Sequence, residues 1–197
     1  HVVFDRQAII VSLDDGSKVE AKVLGADPIL DLAVLRIPIP LEGHPVAVLG
    51  DSDSVRIGEE VIAIGNPFGL EQTLTRGVVS GLNRILSGSP LLTLPLIQTD
   101  ASINPGNSGA PLLDSAGQLI GMNTMIAGAT TSTGVGFAVP VDMIKKIVPQ
   151  IIQFGKVVRP GIGGITFVPD EYAQRTGVEG AIILDVPRGS SAYELGL

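Results

Sequence analysis

Short apolar stretches of strand length, separated by turn-forming residues, make up most of this chain. Stretches 7–13 and 18–24 flank residues 14–17, DDGS, whose residue types favour a hairpin turn. A second hairpin turn is predicted at 114–117. We predict further strands at 32–37, 60–64, 73–82, 96–99, 118–125 and 136–139. With 25 glycines and 14 prolines among 197 residues, the chain suits many short strands joined by turns.

One helix is predicted late in the chain, over residues 141–154. Its apolar residues share one face: Met143, Ile144, Ile147, Val148, Ile151 and Ile152. Pro149 lies inside this stretch and predicts a kink or break near Val148, because proline lacks the N–H that a helix needs. Many short strands followed by one late helix fit two β-barrels in tandem, which is an all-β fold.

The composition excludes several classes of protein. Hydrophobic residues make up 45% of the chain, but no apolar run approaches the ~20 residues that a membrane-spanning helix needs. The absence of cysteine excludes disulfides and thiolate chemistry, and a zinc site is not expected. A net charge of −7 with scattered basic residues argues against nucleic-acid binding. We interpret this acidity as ordinary solubility rather than as a sign of a cationic partner.

Residues 104–111, NPGNSGAP, place Ser108 between Gly106 and Gly109 on a turn that is poor in side chains. A nucleophilic serine needs an exposed hydroxyl and neighbouring N–H groups that point at the same spot. The glycines allow such backbone conformations and let a substrate carbonyl come close. The same residue types also form plain turns between strands, so this stretch alone leaves both interpretations open.

Only two histidines are available as a base for such a serine. His44 lies in a loop-like stretch and is interpreted as a solvated surface residue. His1 precedes an apolar, strand-like stretch and is either a frayed chain end or the base. Asp31 heads a predicted buried strand, where a carboxylate needs a partner. Its rival Asp27 is followed by proline, which marks a turn, so Asp31 is the better candidate to pair with the imidazole.

Several motifs occur in one order: HVV at 1–3, DLAVL at 31–35, GNPFG at 65–69, QTDA at 98–101, NSG at 107–109 and GVGFAVP at 134–140. Together they resemble the HtrA/Deg (DegP-like) family of trypsin-fold serine proteases, whose histidine, aspartate and serine follow in this order. The resemblance covers residues 1 to about 155. The segment 147–160 is most similar to the cyanobacterial and chloroplast branch. The implied fold is a trypsin-like double β-barrel followed by one helix.

The resemblance implies a catalytic role for each matched residue and no metal or cofactor. His1 is the general base, Asp31 orients its imidazole, and Ser108 attacks the scissile carbonyl. The N–H groups of Gly106 and Ser108 form the oxyanion hole. Trypsin-like zymogens carry an aspartate just before the serine, which pairs with a newly cut N-terminal amine. Because Asn107 is neutral, no such ion pair forms, and activation is expected to come from loop rearrangement.

Two departures from the family pattern stand out. Ala110 replaces a usual glycine, and its methyl group strains the backbone if the position needs a positive φ angle. The family also has strands before the catalytic histidine, and here His1 is the first residue. We therefore expect a fragment whose first barrel is incomplete, with His1 poorly held and activity weak or absent. In this interpretation residues 1–155 are an N-terminally truncated protease domain.

After Gly155 the pattern changes, and residues 156–197 resemble the beginning of a PDZ domain. Its carboxylate-binding loop is matched by Ile162, Gly163, Gly164 and Ile165. In that fold the loop's N–H groups capture a peptide C-terminus while the peptide adds as a strand. The alternative is a glycine-rich linker followed by a strand.

Specificity depends on the residues flanking the nucleophile. The substrate pocket is predicted to be lined by Ile103, Met125 and Ile126, which are apolar, so we expect cleavage after small to medium aliphatic residues. Core packing explains any one of these side chains equally well. Residues 85–94 occupy the place of the family's regulatory sensor loop. They are also compatible with a hydrophobic strand pair.

Two functional hypotheses remain. The first is an ATP-independent serine endopeptidase of protein quality control, acting on unfolded or damaged proteins. The second is a non-catalytic peptide-binding or chaperone-like module. The presence of His1, Asp31 and Ser108 together favours the first. The resemblance implies a homotrimer and a location in the periplasm, the chloroplast or the thylakoid lumen, although this chain carries no visible targeting signal.

Overall fold

The computed structural model describes residues 1–40, 43–67, 73–84, 95–124, 134–159, 163, 165–168, 177 and 180–197. The chain divides into two compact units, His1–Val157 and Val158–Leu197. The three residues predicted to act in catalysis all lie in the first unit.

Two separate two-stranded antiparallel sheets begin the first unit. Their strands, in chain order, are β1 (Ile10–Ser12), β2 (Lys18–Glu20), β3 (Lys22–Asp27) and β4 (Leu32–Arg36). β1 pairs with β2 and β3 pairs with β4. Among the described residues these four strands form two separate pairs and do not close into a barrel, and the truncation of the first barrel stays a prediction.

The first hairpin confirms the predicted turn at 14–17, where Asp15 accepts a hydrogen bond from the N–H of Ser17 at 2.8 Å. The prediction of a single strand over 18–24 is wrong. The chain leaves the first sheet and enters the second at Ala21, whose N–H still donates to the Ile9 carbonyl at 2.8 Å. Apolar periodicity continues through this exchange of partners, so the sequence alone does not show it.

A closed barrel of six antiparallel strands follows, in the spatial order β10-β7-β6-β5-β8-β9. Its strands are β5 (Glu60–Gly65), β6 (Thr73–Arg84), β7 (Leu96–Thr99), β8 (Pro111–Asp114), β9 (Leu119–Thr124) and β10 (Gly136–Pro140). The interior is filled by small and branched side chains, among them Val61, Val79, Leu112 and Ile120. Closure leaves no unpaired edge strand in this barrel.

Helix α1 (Val141–Phe154) follows directly after β10. It runs through Pro149 as one helix, so the predicted break near Val148 does not occur. Its buried face packs in a second apolar cluster that includes Leu30, Leu32 and Ile151. The helix therefore packs against the turn and strand that flank Asp31.

The C-terminal end of α1 meets the backbone of β3. Gly155 ends the helix in the left-handed conformation (φ 71°), and its N–H donates to the Ile151 carbonyl at 2.9 Å. A Cβ built on Gly25 would lie 2.2 Å from the Gly155 carbonyl oxygen. Only glycine fits at position 25, because any side chain there would push the helix end away from the β3–β4 hairpin.

The second unit contains a short antiparallel pair, β11 (Thr166–Phe167) and β12 (Ile183–Asp185), and the one-turn helix α2 (Ser191–Glu194). The Ser190 hydroxyl caps this helix by accepting from the N–H of Tyr193 at 3.2 Å. Neither helix in the described part of the chain is long and apolar enough to cross a membrane.

Asp142 fastens the start of α1 to the loop before β5. Its carboxylate accepts from the N–H of Ser52 at 2.6 Å and from the Ser52 hydroxyl at 2.8 Å, and Lys145 donates to its other oxygen at 2.7 Å. The ammonium of Lys145, and after it the donors of Ser52, hold the pKa of Asp142 well below its usual range. The Lys145 ammonium also donates to the Gly50 carbonyl at 2.5 Å.

We predict that Asp142→Asn lowers the free energy of unfolding at pH 7 by about 2 kcal/mol, because the charge-assisted hydrogen bonds are weakened. A depressed pKa stabilises the fold above the ordinary carboxyl pKa, and this stabilisation is lost as pH falls towards the folded-state value. The wild-type and variant stabilities should therefore converge below about pH 4, measured by urea unfolding across pH. Asp53→Asn, at an exposed neighbour, is the control, and curves that stay parallel would contradict the prediction.

Candidate active site

His1 and Asp31 are in direct contact in the structure. The ring Nδ1 of His1 lies 2.5 Å from Oδ2 of Asp31, and the His1 main-chain nitrogen lies 2.5 Å from Oδ1. The His1 side chain is 49% exposed and that of Asp31 is 22% exposed. The sequence predicts a poorly held His1, whereas in the structure its ring nitrogen contacts the Asp31 carboxylate.

The turn between β3 and β4 presents Asp31 to the imidazole. Asp27 is buried and accepts a hydrogen bond from the N–H of Ile29 at 3.2 Å, which is the behaviour of a turn aspartate. Asp31 has a positive φ angle of 53°, a conformation that aspartate tolerates better than most residues. The chain thus uses one aspartate to form the turn and the other to face His1.

Thr124, the last residue of β9, is a partner of Asp31 that the sequence analysis does not identify. Its hydroxyl donates to Oδ2 of Asp31 at 3.1 Å, the same oxygen that His1 Nδ1 contacts. The two residues are 93 positions apart. Within the sequence Thr124 is only one polar residue near a strand end, and no local pattern points to this contact.

Residues 104–111 form a hydrogen-bonded turn, which we call the nucleophile turn. The N–H of Asn107 donates to the Asn104 carbonyl at 2.9 Å, and Gly106 has a positive φ of 103°. Within the described part of the chain, the N–H groups of Gly106 and Ser108 donate to no acceptor. These are the two donors predicted to form the oxyanion hole.

Main-chain pairing with β9 holds the second half of this turn. The N–H of Gly109 donates to the Asn123 carbonyl at 2.8 Å, and the N–H of Asn123 donates to the Ala110 carbonyl at 2.8 Å. Ala110 is absent from the non-glycine residues with positive φ, so its methyl group does not conflict with the backbone. The concern raised by the missing glycine therefore does not apply.

One cavity of about 240 Å³ brings the predicted catalytic residues together. His1, Asp31 and Ser108 line it, together with Gly109 and Asn123 and the apolar side chains of Val2, Val3, Ala33, Leu35 and Met122. An acid–imidazole pair that lines one cavity together with a half-buried serine is an arrangement suited to acyl transfer.

Asn107 is the buried residue of the nucleophile turn, with 1% of its surface exposed. Its amide Nδ2 donates to the Ser102 carbonyl at 3.3 Å. Its Oδ1 accepts no hydrogen bond within the described part of the chain. The side chain therefore acts as a neutral anchor beneath the turn.

The predicted pocket and PDZ residues are only partly within the described chain. Ile103 is buried and packs in the barrel interior, and its role as a pocket residue stays a prediction. Met125, Ile126, Ile162 and Gly164 lie outside the described residues, as does the whole segment 85–94. Gly163 has a positive φ of 55° and lies near the Ser191 hydroxyl, while Ile165 is half-buried.

The sequence is similar to those of known serine proteases. A family model described as trypsin-like peptidase domain matches residues 1–122. Over the whole of this chain, Protease Do-like 1, chloroplastic, of Arabidopsis thaliana is 48% identical, and the chain covers 45% of it. Serine protease Do-like HtrA of Bacillus subtilis is 41% identical, with 100% of this chain and 47% of that protein covered.

A solved structure titled HtrA-type protease AlgW with decapeptide matches the whole chain with a TM-score of 0.89 and 41% identity. The match covers 61% of that protein's chain. This chain spans about half the length of the curated relatives given above.

We predict that Asn107→Asp lowers the free energy of unfolding at pH 7 by roughly 3 kcal/mol, because a charge is buried without a partner. Burial raises the pKa of the introduced carboxyl above its unfolded-state value, so the loss should shrink as pH falls from 7 towards about 4 and should be nearly gone there. Urea unfolding at pH 7 and pH 4 measures this. Asn83→Asp, at an exposed position, is the matched control, and equal losses at both pH values would refute the explanation.

Proposed function

Because the chain belongs to the trypsin-like peptidase family, in its Deg/HtrA group, we propose that it forms the catalytic part of an ATP-independent serine endopeptidase. We propose unfolded or damaged proteins as its substrates. The observation that supports this best is the single cavity lined by Ser108, His1 and Asp31, in which His1 Nδ1 lies 2.5 Å from Asp31 Oδ2.

In the proposed reaction Ser108 Oγ attacks the scissile carbonyl carbon, while Nε2 of His1 takes the hydroxyl proton. Asp31 accepts the Nδ1–H, which leaves Nε2 free to act as the base and stabilises the imidazolium that forms. The C–N bond then breaks, and His1 returns the proton to the leaving amine. Water releases the acyl group by the same steps, with His1 again acting as the base.

The developing oxyanion is proposed to bind the N–H groups of Gly106 and Ser108. Their freedom from other acceptors in the described chain supports this role. Each such donor contributes about 3 kcal/mol of transition-state stabilisation. The Thr124 hydroxyl is proposed to keep the Asp31 carboxylate oriented towards His1.

Further proposals concern specificity and partners. We propose that Ile103, Met125 and Ile126 line a pocket for small to medium aliphatic side chains. Residues 156–197 are proposed as the beginning of a PDZ domain that captures peptide C-termini once complete. A homotrimer, and a location in the chloroplast, thylakoid lumen or periplasm, are proposed for the whole protein.

A fluorophosphonate probe tests the nucleophile. We expect labelling of Ser108 in the longest natural form of the protein, and its complete loss in Ser108→Ala, read by intact mass. Ser102→Ala is the matched control, because only the carbonyl of Ser102 takes part in the contacts beneath the turn. Unlabelled wild-type protein would refute the protease and favour the non-catalytic peptide-binding module.

Thr124→Val should lower kcat/KM about tenfold, because Asp31 loses one of its donors and orients His1 less well; tenfold corresponds to about 1.4 kcal/mol of barrier. Thr124→Ser keeps the hydroxyl and should retain most of the activity. Steady-state kinetics on one peptide substrate provide the measurement. Equal activity of the valine and serine variants would show that the hydroxyl has no part in the reaction.

A further inference from the structure

The segment Gly65-Asn66-Pro67 packs closely against the nucleophile turn. A Cβ built on Gly65 would lie 2.2 Å from Oδ1 and 2.8 Å from Cγ of Asn107. A Cβ built on Gly106 would lie 2.3 Å from the Asn66 carbonyl oxygen and 2.8 Å from Cα of Pro67. Real Cβ atoms do not approach other atoms this closely, so a side chain at Gly106 would collide with backbone, and one at position 65 would displace the Asn107 side chain.

One main-chain hydrogen bond also joins this segment to the nucleophile turn. The N–H of Asn66 donates to the Gly106 carbonyl at 3.4 Å. That carbonyl belongs to the peptide that joins Gly106 to Asn107, and Asn107 in turn is anchored to the Ser102 carbonyl. The segment therefore constrains the orientation of the backbone between the two oxyanion donors.

The closed barrel brings these two segments together. Gly65 ends β5, and the nucleophile turn leads into β8, which is the antiparallel neighbour of β5. Val61 lies opposite Asp114 and Ala63 lies opposite Leu112. Continuing this register sets the end of β5 beside the turn, so two adjacent strands of one barrel fix the distance between them.

We propose that Gly65 and Asn66 are positioning residues for the oxyanion hole, acting through the Asn107 side chain and the Gly106 peptide. This inference rests on the proposed protease function. Asn107 lies between the two donors, so moving it displaces the N–H groups of both Gly106 and Ser108. A side chain at position 65 would push on Asn107 and misalign both donors without touching the substrate.

The experiment compares the affinity for a ligand that forms an oxyanion in the site with the affinity for a ligand that does not. In Gly65→Ala, prepared in the longest natural form, we expect kcat to fall about 100-fold, the cost of losing one oxyanion donor, while KM changes little. The affinity of a peptide aldehyde, which forms a tetrahedral adduct with Ser108, should fall by a similar factor. The dissociation constant of the matching product peptide should stay within about threefold.

Gly25→Ala is the matched control for a general packing defect. A Cβ there would lie 2.2 Å from the Gly155 carbonyl oxygen, a collision of similar closeness that involves neither the nucleophile turn nor the Ser102 anchor. This control should lower the thermal midpoint but keep the ratio of aldehyde to product-peptide affinity. An equal loss of that ratio in both variants, at similar stability, would overturn the inference.

A double-mutant cycle tests the route through Asn107. In Asn107→Ala the two atoms nearest the new Cβ are absent, so Gly65→Ala should then cost less than tenfold in aldehyde affinity. Fully additive losses would overturn the proposed route. If Gly65→Ala does not fold, the Asn107→Ala variant is measured by itself. A lower affinity for the aldehyde with an unchanged affinity for the product peptide would support the inference. An unchanged affinity for the aldehyde would overturn it.

These outcomes separate the inference from the function on which it rests. Wild-type protein that the fluorophosphonate probe does not label would refute the protease itself. Labelled wild-type protein, together with a Gly65→Ala variant whose aldehyde affinity is unchanged, would refute only the positioning role.

Discussion

Two consecutive residues of β9 hold the two halves of the site together. Asn123 pairs through its main chain with Gly109 and Ala110, next to the nucleophile, and Thr124 donates to the carboxylate that contacts the imidazole. Because β9 belongs to a closed barrel, it has little freedom to slide. The relative placement of the His1–Asp31 pair and the nucleophile turn thus depends on the register of one strand.

Two buried asparagine side chains beneath the site destabilise the fold, and the barrel tolerates this cost. Asn107 and Asn123 are fully buried, and the Oδ1 atom of each has no partner in the described chain. An unpaired buried acceptor costs about 1–3 kcal/mol. Such local costs commonly persist at functional sites where the surrounding structure determines the conformation. Here the barrel strands on either side of the nucleophile turn provide that surrounding structure.

Much of the fold follows from local pattern. The hairpin turns at 14–17 and 114–117, five of the six barrel strands and the late helix are predicted because turn residues and apolar periodicity are short-range signals, whereas the short strand β8 is not. The errors arise where tertiary contacts override these signals. The stretch 18–24 exchanges sheets at Ala21, and of the kink or break predicted near Val148 the break does not occur, since α1 continues through Pro149 while its apolar face packs on the strands.

By itself the sequence determined which chemical groups are available: one serine in a glycine turn, two histidines, an aspartate ahead of a strand, and the order in which they occur. Only the tertiary structure decided which of these groups meet. It placed Asp31, the aspartate that the sequence already favoured, against His1, added Thr124 to the site, gave Ala110 a backbone conformation that tolerates its methyl group, and set Gly65 against Asn107. The physical reason is that these contacts join residues tens of positions apart, and their distances are set by barrel closure and strand register rather than by local preference.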